Sequence, residues 1–155
     1  MLESIHFKDY PVLFVDDEDF AIVTFKHLFK DELTIYTASH GHEALLMLAA
    51  HPEIALVVTD QRMPGMTGLE LLTHMTKKYP KKIINILVTA YSDLTLVVEA
   101  FNKGNLFRYI SKPYDEAFLK QTILQGIERY HLLAVWEDFY TTNKERVEKA
   151  KEDKR

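Results

Sequence analysis

Short apolar runs that end abruptly at polar residues constrain the fold of this chain more than any other feature. In the third run, residues 54–59 are almost entirely apolar, and a single carboxylate, Asp60, follows them. A turn marked by Pro64, Gly65 and Gly68 comes next, and apolar residues then resume at helical spacing. An apolar run without polar alternation is typical of a strand that is buried on both faces. We therefore interpret this stretch as a parallel strand that delivers one acid to its carboxyl end, where open α/β sheets bind ligands.

Four further apolar runs predict strands over residues 11–15, 33–38, 83–88 and 106–110. Segments with the apolar spacing of amphipathic helices lie between the runs. Pro80 and two lysines are expected to close the third helix, and a last helix is expected to begin near Asp115. Strands that alternate with helices favour a parallel sheet covered by helices on both faces. The expected fold class is therefore α/β.

Two of the predicted helices carry expectations about their caps and buried faces. Asp19 is the expected N-cap of the first helix. The residues that recur at helical spacing in this helix, and that we expect on its buried face, are Phe20, Val23, His27 and Leu28. In the fourth helix the same spacing indicates a core stripe of Val97, Val98 and Phe101.

The overall composition bounds the classes of function. The 155 residues suit one domain with an appendage, and the 47% of hydrophobic residues supply a sizeable core. A formal net charge of -4 argues against direct binding of nucleic acid. The chain has no cysteine, which excludes a thiol nucleophile and is compatible with the reducing cytoplasm. No apolar run is long enough to span a bilayer, so we expect a cytoplasmic protein that does not bind membranes.

The pattern changes near Leu132, and neither Pro nor Gly occurs after Gly126. We expect a lead-in at residues 1–10, a globular domain at 11–131 and a helical extension at 132–155. The extension would link to an output domain or form a dimerisation helix, because an isolated helix is only marginally stable in water. A frayed polar tail beyond about residue 143 is the alternative.

Polar side chains follow four of the five predicted strands. Asp16 and Asp17 come after the first strand and Asp60 after the third, while Thr89 ends the fourth and Lys112 follows the fifth. Since the carboxyl ends of parallel strands share one edge, we expect these groups to meet there. Three carboxylates repel each other unless a cation intervenes, and oxygen ligands favour a hard ion such as Mg²⁺. A hydroxyl and an ammonium suit phosphoryl oxygens, and an aspartate can itself form an acyl phosphate.

These motifs resemble the receiver domain of two-component response regulators. The resemblance is carried by the acid pair after the first strand, DQRMPGMTG after the third, TA after the fourth and SKP after the fifth. It covers about residues 8–130. It implies a flavodoxin-like fold, a five-stranded parallel sheet in the order 2-1-3-4-5, here with an extended C-terminal helix. It also implies a signalling switch that catalyses only its own phosphorylation and dephosphorylation.

Carried over by position, the resemblance makes Asp60 the phosphoacceptor, which takes a phosphoryl group from a histidine kinase or a phosphotransfer protein. Asp16, Asp17 and Asp60 resemble the Mg²⁺ carboxylates, and the backbone carbonyl of Arg62 resembles a further ligand. Gln61, Arg62 and Tyr91 border the site, and we hypothesise that the bulk of Arg62 and Tyr91 shields the acyl phosphate from hydrolysis.

The remaining positions resemble the switch. Thr89 matches the hydroxyl that moves toward the phosphoryl group, and Lys112 matches the lysine that pairs with it. Tyr109 matches the aromatic residue that turns inward when Thr89 moves. The Lys112–Pro113 peptide bond is expected to be cis.

Two other classes of function are also considered. A Mg²⁺-dependent phosphohydrolase would use Asp60 as nucleophile, but it needs a general acid two residues later, where the chain has Arg62. A scaffold or dimerisation module would act mainly through the C-terminal helix. A homodimer would form through that helix or through the face of helix four, strand five and helix five.

Overall fold

The computed structural model describes residues 4–79 and 83–154, and Pro80, expected to close the third helix, lies outside this part. The strands are β1 (Val12–Val15), β2 (Ile35–Ala38), β3 (Leu56–Asp60), β4 (Ile84–Thr89) and β5 (Arg108–Ser111). The helices are α1 (Asp19–Phe29), α2 (Gly41–Ala50), α3 (Gly68–Lys78), α4 (Leu94–Asn102) and α5 (Glu116–Asp153). All strand pairs are parallel, and the order β2-β1-β3-β4-β5 confirms the predicted fold and topology.

The sheet separates two apolar layers, and β1 shows why. Successive side chains of a strand point to opposite faces. Leu13 and Val15 accordingly belong to the layer that contains α2, α3 and α4, whereas Val12 and Phe14 belong to the layer that contains α1 and α5. The strand is buried on both faces, as its unbroken apolar sequence predicts.

The predicted apolar stripe of α1 is wrong. Phe25 and Phe29 are the buried residues of this helix, and Phe25 stacks on Phe14 with ring centroids 4.1 Å apart. Phe20 and Val23 are instead 82% and 63% exposed. The helix carries two apolar stripes, and the position of Phe14 beneath it decides which of them packs on the sheet.

The predicted cap of α1 is also wrong. Glu18 occupies the N-cap position, and Asp19 is the first helical residue. The backbone N–H of Glu18 donates to Asp16 Oδ1 at 2.9 Å. The side chain of Asp16 therefore fixes the backbone between the end of β1 and the start of α1.

The predicted core stripe of α4 is right only at Val97. Val97 and Ala100 are buried, whereas Val98 is 51% exposed and Phe101 38% exposed. The helix thus presents a partly apolar outer surface next to β5.

Helix α5 extends well beyond the globular body. Asp115 caps it by accepting a hydrogen bond from the N–H of Ala117 at 2.8 Å, and its buried residues end at Ile127. Tyr10 holds the next turn through a hydrogen bond to His131. The helix then continues to Asp153, so the frayed tail is not observed. None of the helices in the described ranges has the length and apolarity that a membrane span requires.

Candidate functional site

Strand register brings the predicted polar residues to one edge of the sheet. Val15 pairs with Thr59, so Asp16 and Asp60 leave neighbouring strands at the same level. Thr89 pairs with Ser111, so Lys112 emerges beside it. The backbone N–H of Lys112 donates to the carbonyl of Thr89 at 2.9 Å, which ties the loop after β5 to the end of β4.

Three carboxylates form the centre of this edge. Asp16, Asp17 and Asp60 each offer an oxygen such that all three atoms lie within 4.8 Å of one another. Asp16 and Asp60 are buried, and Asp17 is exposed. A cluster made only of oxygen donors, open to water on one side, suits a hard divalent cation that keeps part of its hydration shell.

The charge of the cluster is unfavourable by itself. Burial raises the pKa of Asp16, and the neighbouring carboxylate of Asp60 raises it further. The hydrogen bond from the Glu18 N–H works in the opposite direction. The unfavourable burial of Asp16 is therefore only partly offset within the protein, which is the electrostatic condition that a bound cation relieves.

Lys112 supplies the positive charge nearest to Asp60. Its Nζ lies 3.0 Å from Asp60 Oδ1, and the same oxygen accepts the N–H of Gln61 at 3.0 Å. Burial alone would lower the pKa of Lys112, but the hydrogen bond and charge of Asp60, assisted by Asp16, outweigh it and raise the pKa. The ammonium group is therefore charged at neutral pH. The Lys112–Pro113 bond is cis, as expected.

The turn after Asp60 is fixed by a residue that the motif does not single out. Gln61 is buried, and its Oε1 accepts the N–H of Leu69 at 2.9 Å. Its backbone carbonyl accepts the N–H of Gly68 at 3.0 Å. A Cβ on Gly68 would lie 2.4 Å from the Asp60 carbonyl oxygen, so only glycine allows this close approach. The sequence identifies the glycine, but it does not reveal the role of Gln61.

Thr89 lies at the edge, and its hydroxyl is hydrogen-bonded to Asp93. The buried Thr89 Oγ1 donates to Asp93 Oδ2 at 2.8 Å. Arg62 reaches the same carboxylate oxygen with its Nε at 3.4 Å and donates to Ser92 Oγ from Nη2 at 2.8 Å. The hydrogen bond from Thr89, with help from Arg62, holds the pKa of Asp93 below its usual value although partial burial opposes this.

The remaining predicted residues lie beside the edge. Tyr109 is 39% exposed, and its ring packs edge-to-face on Phe101 with centroids 6.0 Å apart. The side chain of Arg62 extends along the 3-10 turn Tyr91–Asp93. The side chain of Tyr91 is outside the described part of the chain, so the shielding hypothesis stays a prediction.

Comparison with known proteins identifies this arrangement. The family model described as "Response regulator receiver domain" matches residues 12–124. The regulator NtrC of Salmonella typhimurium is 38% identical over 107 residues, which are 67% of this chain and 22% of NtrC. FixJ of Rhizobium meliloti is 30% identical over 135 residues, which are 87% of this chain and 64% of FixJ. The chain thus spans less than two thirds of each of these curated relatives.

Solved structures agree with the sequence relatives. A response regulator receiver domain protein from Clostridium thermocellum superposes with a TM-score of 0.74 at 30% identity, covering 80% of this chain and 98% of that chain. A chain described as adenylate cyclase from Rhodopirellula baltica gives a TM-score of 0.82 at 29% identity, covering 86% of this chain and 98% of that chain. From its matched segment, its sheet and its relatives, the chain belongs to the response regulator receiver domain family.

Proposed function

We propose that this chain is a phosphorylation switch in which Asp60 accepts a phosphoryl group from a histidine kinase or a phosphotransfer protein. The N–P bond of the donor phosphohistidine breaks, an O–P bond to the Asp60 carboxylate forms, and the imidazole leaves. The observation that carries the proposal is the surroundings of Asp60: the Lys112 ammonium at 3.0 Å and two further carboxylates within 4.8 Å. We further propose that the protein acts in the cytoplasm.

The residues present fit a Mg²⁺ ion. Asp16, Asp17 and Asp60 supply the oxygen donors that this ion prefers, and the backbone carbonyl of Arg62 would complete the set. When bound, the ion would neutralise negative charge shared by the carboxylates and the phosphoryl oxygens. Lys112 contributes a second positive charge, already beside Asp60, that pairs with a phosphoryl oxygen.

The switch acts through groups of the chain itself. A phosphoryl group on Asp60 adds strong acceptors to an edge where Thr89 carries a hydroxyl. Movement of Thr89 toward those acceptors would open space near β5, and Tyr109 would turn inward from its exposed position against Phe101. The surface formed by α4, β5 and α5 would then change its shape for a downstream partner.

An exposed apolar patch supports docking of the phosphodonor protein next to Asp60. We define the patch by Phe20 and Val23 of α1 and Phe118 of α5, which are 82%, 63% and 55% exposed. The first turns of both helices lie at the carboxyl edge of the sheet, on the same face. Exposed aromatic side chains on helices that begin at the edge carrying the acceptor are suited to bind a partner protein that must approach this edge.

A homodimer through α5 is the second part of the proposal, and a specific observation favours it. Exposed apolar side chains recur at helical spacing on the projecting helix at Leu132, Trp136, Phe139 and Tyr140, each more than half exposed. A single helix that leaves such a stripe in water is unstable alone, whereas pairing with a second copy buries it.

The test of the central proposal is Mg²⁺-dependent labelling by a small phosphodonor such as acetyl phosphate. We expect the intact mass to rise by one phosphoryl group, the product to be cleaved by hydroxylamine as an acyl phosphate is, and the label to be lost in Asp60→Asn. Labelling that persists in Asp60→Asn would contradict the proposal.

Sustained turnover of a phosphomonoester would instead favour the phosphohydrolase, which we reject because the Arg62 guanidinium cannot serve as a general acid.

A further inference from the structure

We propose that Asp93 is a positioning residue that competes with the phosphoryl group for the Thr89 hydroxyl and thereby sets how readily the switch turns on. This inference rests on the proposed function of Asp60. It concerns a residue that lies four positions after Thr89, outside the motifs that mark the site.

Asp93 and the phosphoryl group compete because the Thr89 hydroxyl has a single proton to donate. A threonine hydroxyl has one O–H donor, and that donor is directed to Asp93 Oδ2 at 2.8 Å. The only other acceptor of this hydroxyl within the described residues is the carbonyl of Ala90 at 3.3 Å. Thr89 therefore cannot donate to a phosphoryl oxygen on Asp60 until it releases Asp93.

The carboxylate of Asp93 accepts the Thr89 hydroxyl instead of capping helix α4. Asp93 is the N-cap of α4, where an Asp side chain normally accepts an N–H from the first helical turn. Here it makes no capping hydrogen bond to the described residues of α4. Its Oδ2 accepts from Thr89 and from Arg62 instead. Removal of the carboxylate therefore costs α4 no capping bond in this state.

Arg62 connects the same carboxylate to the acceptor loop. The residue lies two positions after Asp60, and its side chain crosses to Ser92 and Asp93. The guanidinium stays protonated and holds the Asp93 carboxylate in the orientation that accepts the Thr89 proton. The loop that carries the phosphoacceptor and the turn that carries Asp93 are thus linked in the unphosphorylated arrangement.

The experiment is a titration of the full chain with beryllofluoride and Mg²⁺, a probe that mimics the phosphoryl group, followed by ¹⁹F NMR. We expect Asp93→Ala to bind the probe roughly three- to tenfold more tightly than the unaltered chain, the range of one hydrogen bond. Asp93→Asn keeps an acceptor oxygen but loses the charge, and we expect an intermediate affinity. In the Thr89→Ala background, the gain from Asp93→Ala should disappear, because no hydroxyl remains to be released.

Asp115→Ala is the matched control. Asp115 is the N-cap of α5 and accepts the N–H of Ala117 at 2.8 Å, so the control removes a cap aspartate that does not contact Thr89. We expect it to lower stability without changing the affinity for the probe. Each variant is checked for folding by circular dichroism, and Asp93→Asn provides the test if Asp93→Ala does not fold.

The outcomes separate the two proposals. An equal effect of Asp93→Ala in both backgrounds, or weaker binding in the presence of Thr89, would overturn the role of Asp93 while leaving Asp60 as acceptor. Binding that is absent from the unaltered chain, or unchanged in Asp60→Asn, would overturn the proposed function and this inference with it.

Discussion

At the scale of single residues, the site is a balance between carboxylates and one lysine. Asp16, Asp17 and Asp60 bring three negative charges together, and Lys112 contacts Asp60 directly. The pKa of Asp16 is raised mainly because burial disfavours its charged form. In the proposed function, the carboxylates of Asp16 and Asp17 would hold a cation next to Asp60, which accepts the phosphoryl group.

We predict that Asp16→Asn stabilises the metal-free protein at neutral pH. Because burial raises the folded-state pKa of Asp16, the folded state binds the proton more tightly than the unfolded chain. The ionised carboxylate therefore lowers stability as the pH rises through the raised pKa, and the penalty vanishes below the unfolded value. Urea denaturation in EDTA at several pH values measures the difference, which should shrink in acid.

The same variant should respond less to Mg²⁺. A cation that binds only the folded state raises the free energy of unfolding, and loss of one ligand weakens that effect. An equal Mg²⁺ response in Asp16→Asn and the unaltered chain would contradict the role of Asp16 as a ligand.

At the scale of secondary-structure elements, the sequence predicts which segments are helical but not always which side of a helix is buried. In α1 the apolar spacing selects Phe20 and Val23, yet Phe25 and Phe29 face the sheet. Two apolar stripes on one helix cannot be ranked from spacing alone. The choice depends on Phe14, a residue of another element.

The exposed stripe of α1 leads to a prediction about partner binding. Phe20→Ala should reduce the rate of phosphotransfer from the cognate kinase by roughly tenfold, since exposed aromatic anchors often contribute more than 1 kcal/mol to binding. Its labelling by acetyl phosphate should not change, because a small phosphodonor does not need a docking surface on α1 to reach Asp60. The measurement is a comparison of both rates in the same preparation.

Leu46→Ala provides the matched control for Phe20→Ala. Leu46 is 71% exposed but lies on α2, on the opposite face of the sheet. We expect it to change neither rate. A parallel loss of kinase-dependent and acetyl phosphate-dependent labelling in Phe20→Ala would argue for damage to the site rather than for a docking role.

At the scale of the whole molecule, one continuous helix joins the core to a projecting arm. Helix α5 packs on the sheet through Leu119, Ile123 and Ile127, and Tyr10 holds it at Tyr130 and His131. Beyond these contacts most of its side chains are exposed. In the proposed function, a movement of the α4, β5 and α5 surface would therefore also displace the projecting part of this continuous helix.

We predict that Trp136→Glu abolishes self-association, because it places a charge in the exposed apolar stripe of α5. Ala134→Glu adds the same charge on another side of the same helix and should leave the oligomeric state unchanged. Sedimentation velocity over a range of concentrations, with and without beryllofluoride, measures both. A monomeric unaltered chain under all of these conditions would contradict the dimer proposal.

The sequence by itself determined the succession of strands and helices along the chain, the fold class and the polar site residues at the ends of four strands. These follow from short-range patterns: apolar runs, helical spacing and the residue types at strand ends. The motifs after β1, β3, β4 and β5 also indicated the family, which the match over residues 12–124 confirms. The roles of Asp60, Thr89 and Lys112 stay predictions until they are tested.

Only the tertiary structure decided how the side chains at that edge are paired. Arg62 and Asp93 are 31 positions apart, and no local pattern shows that they share a carboxylate oxygen with Thr89. The buried face of α1 depends in the same way on Phe14 of a neighbouring strand. Spacing along the chain records which side chains are available, whereas the partner that each one meets depends on packing between elements that are distant in sequence.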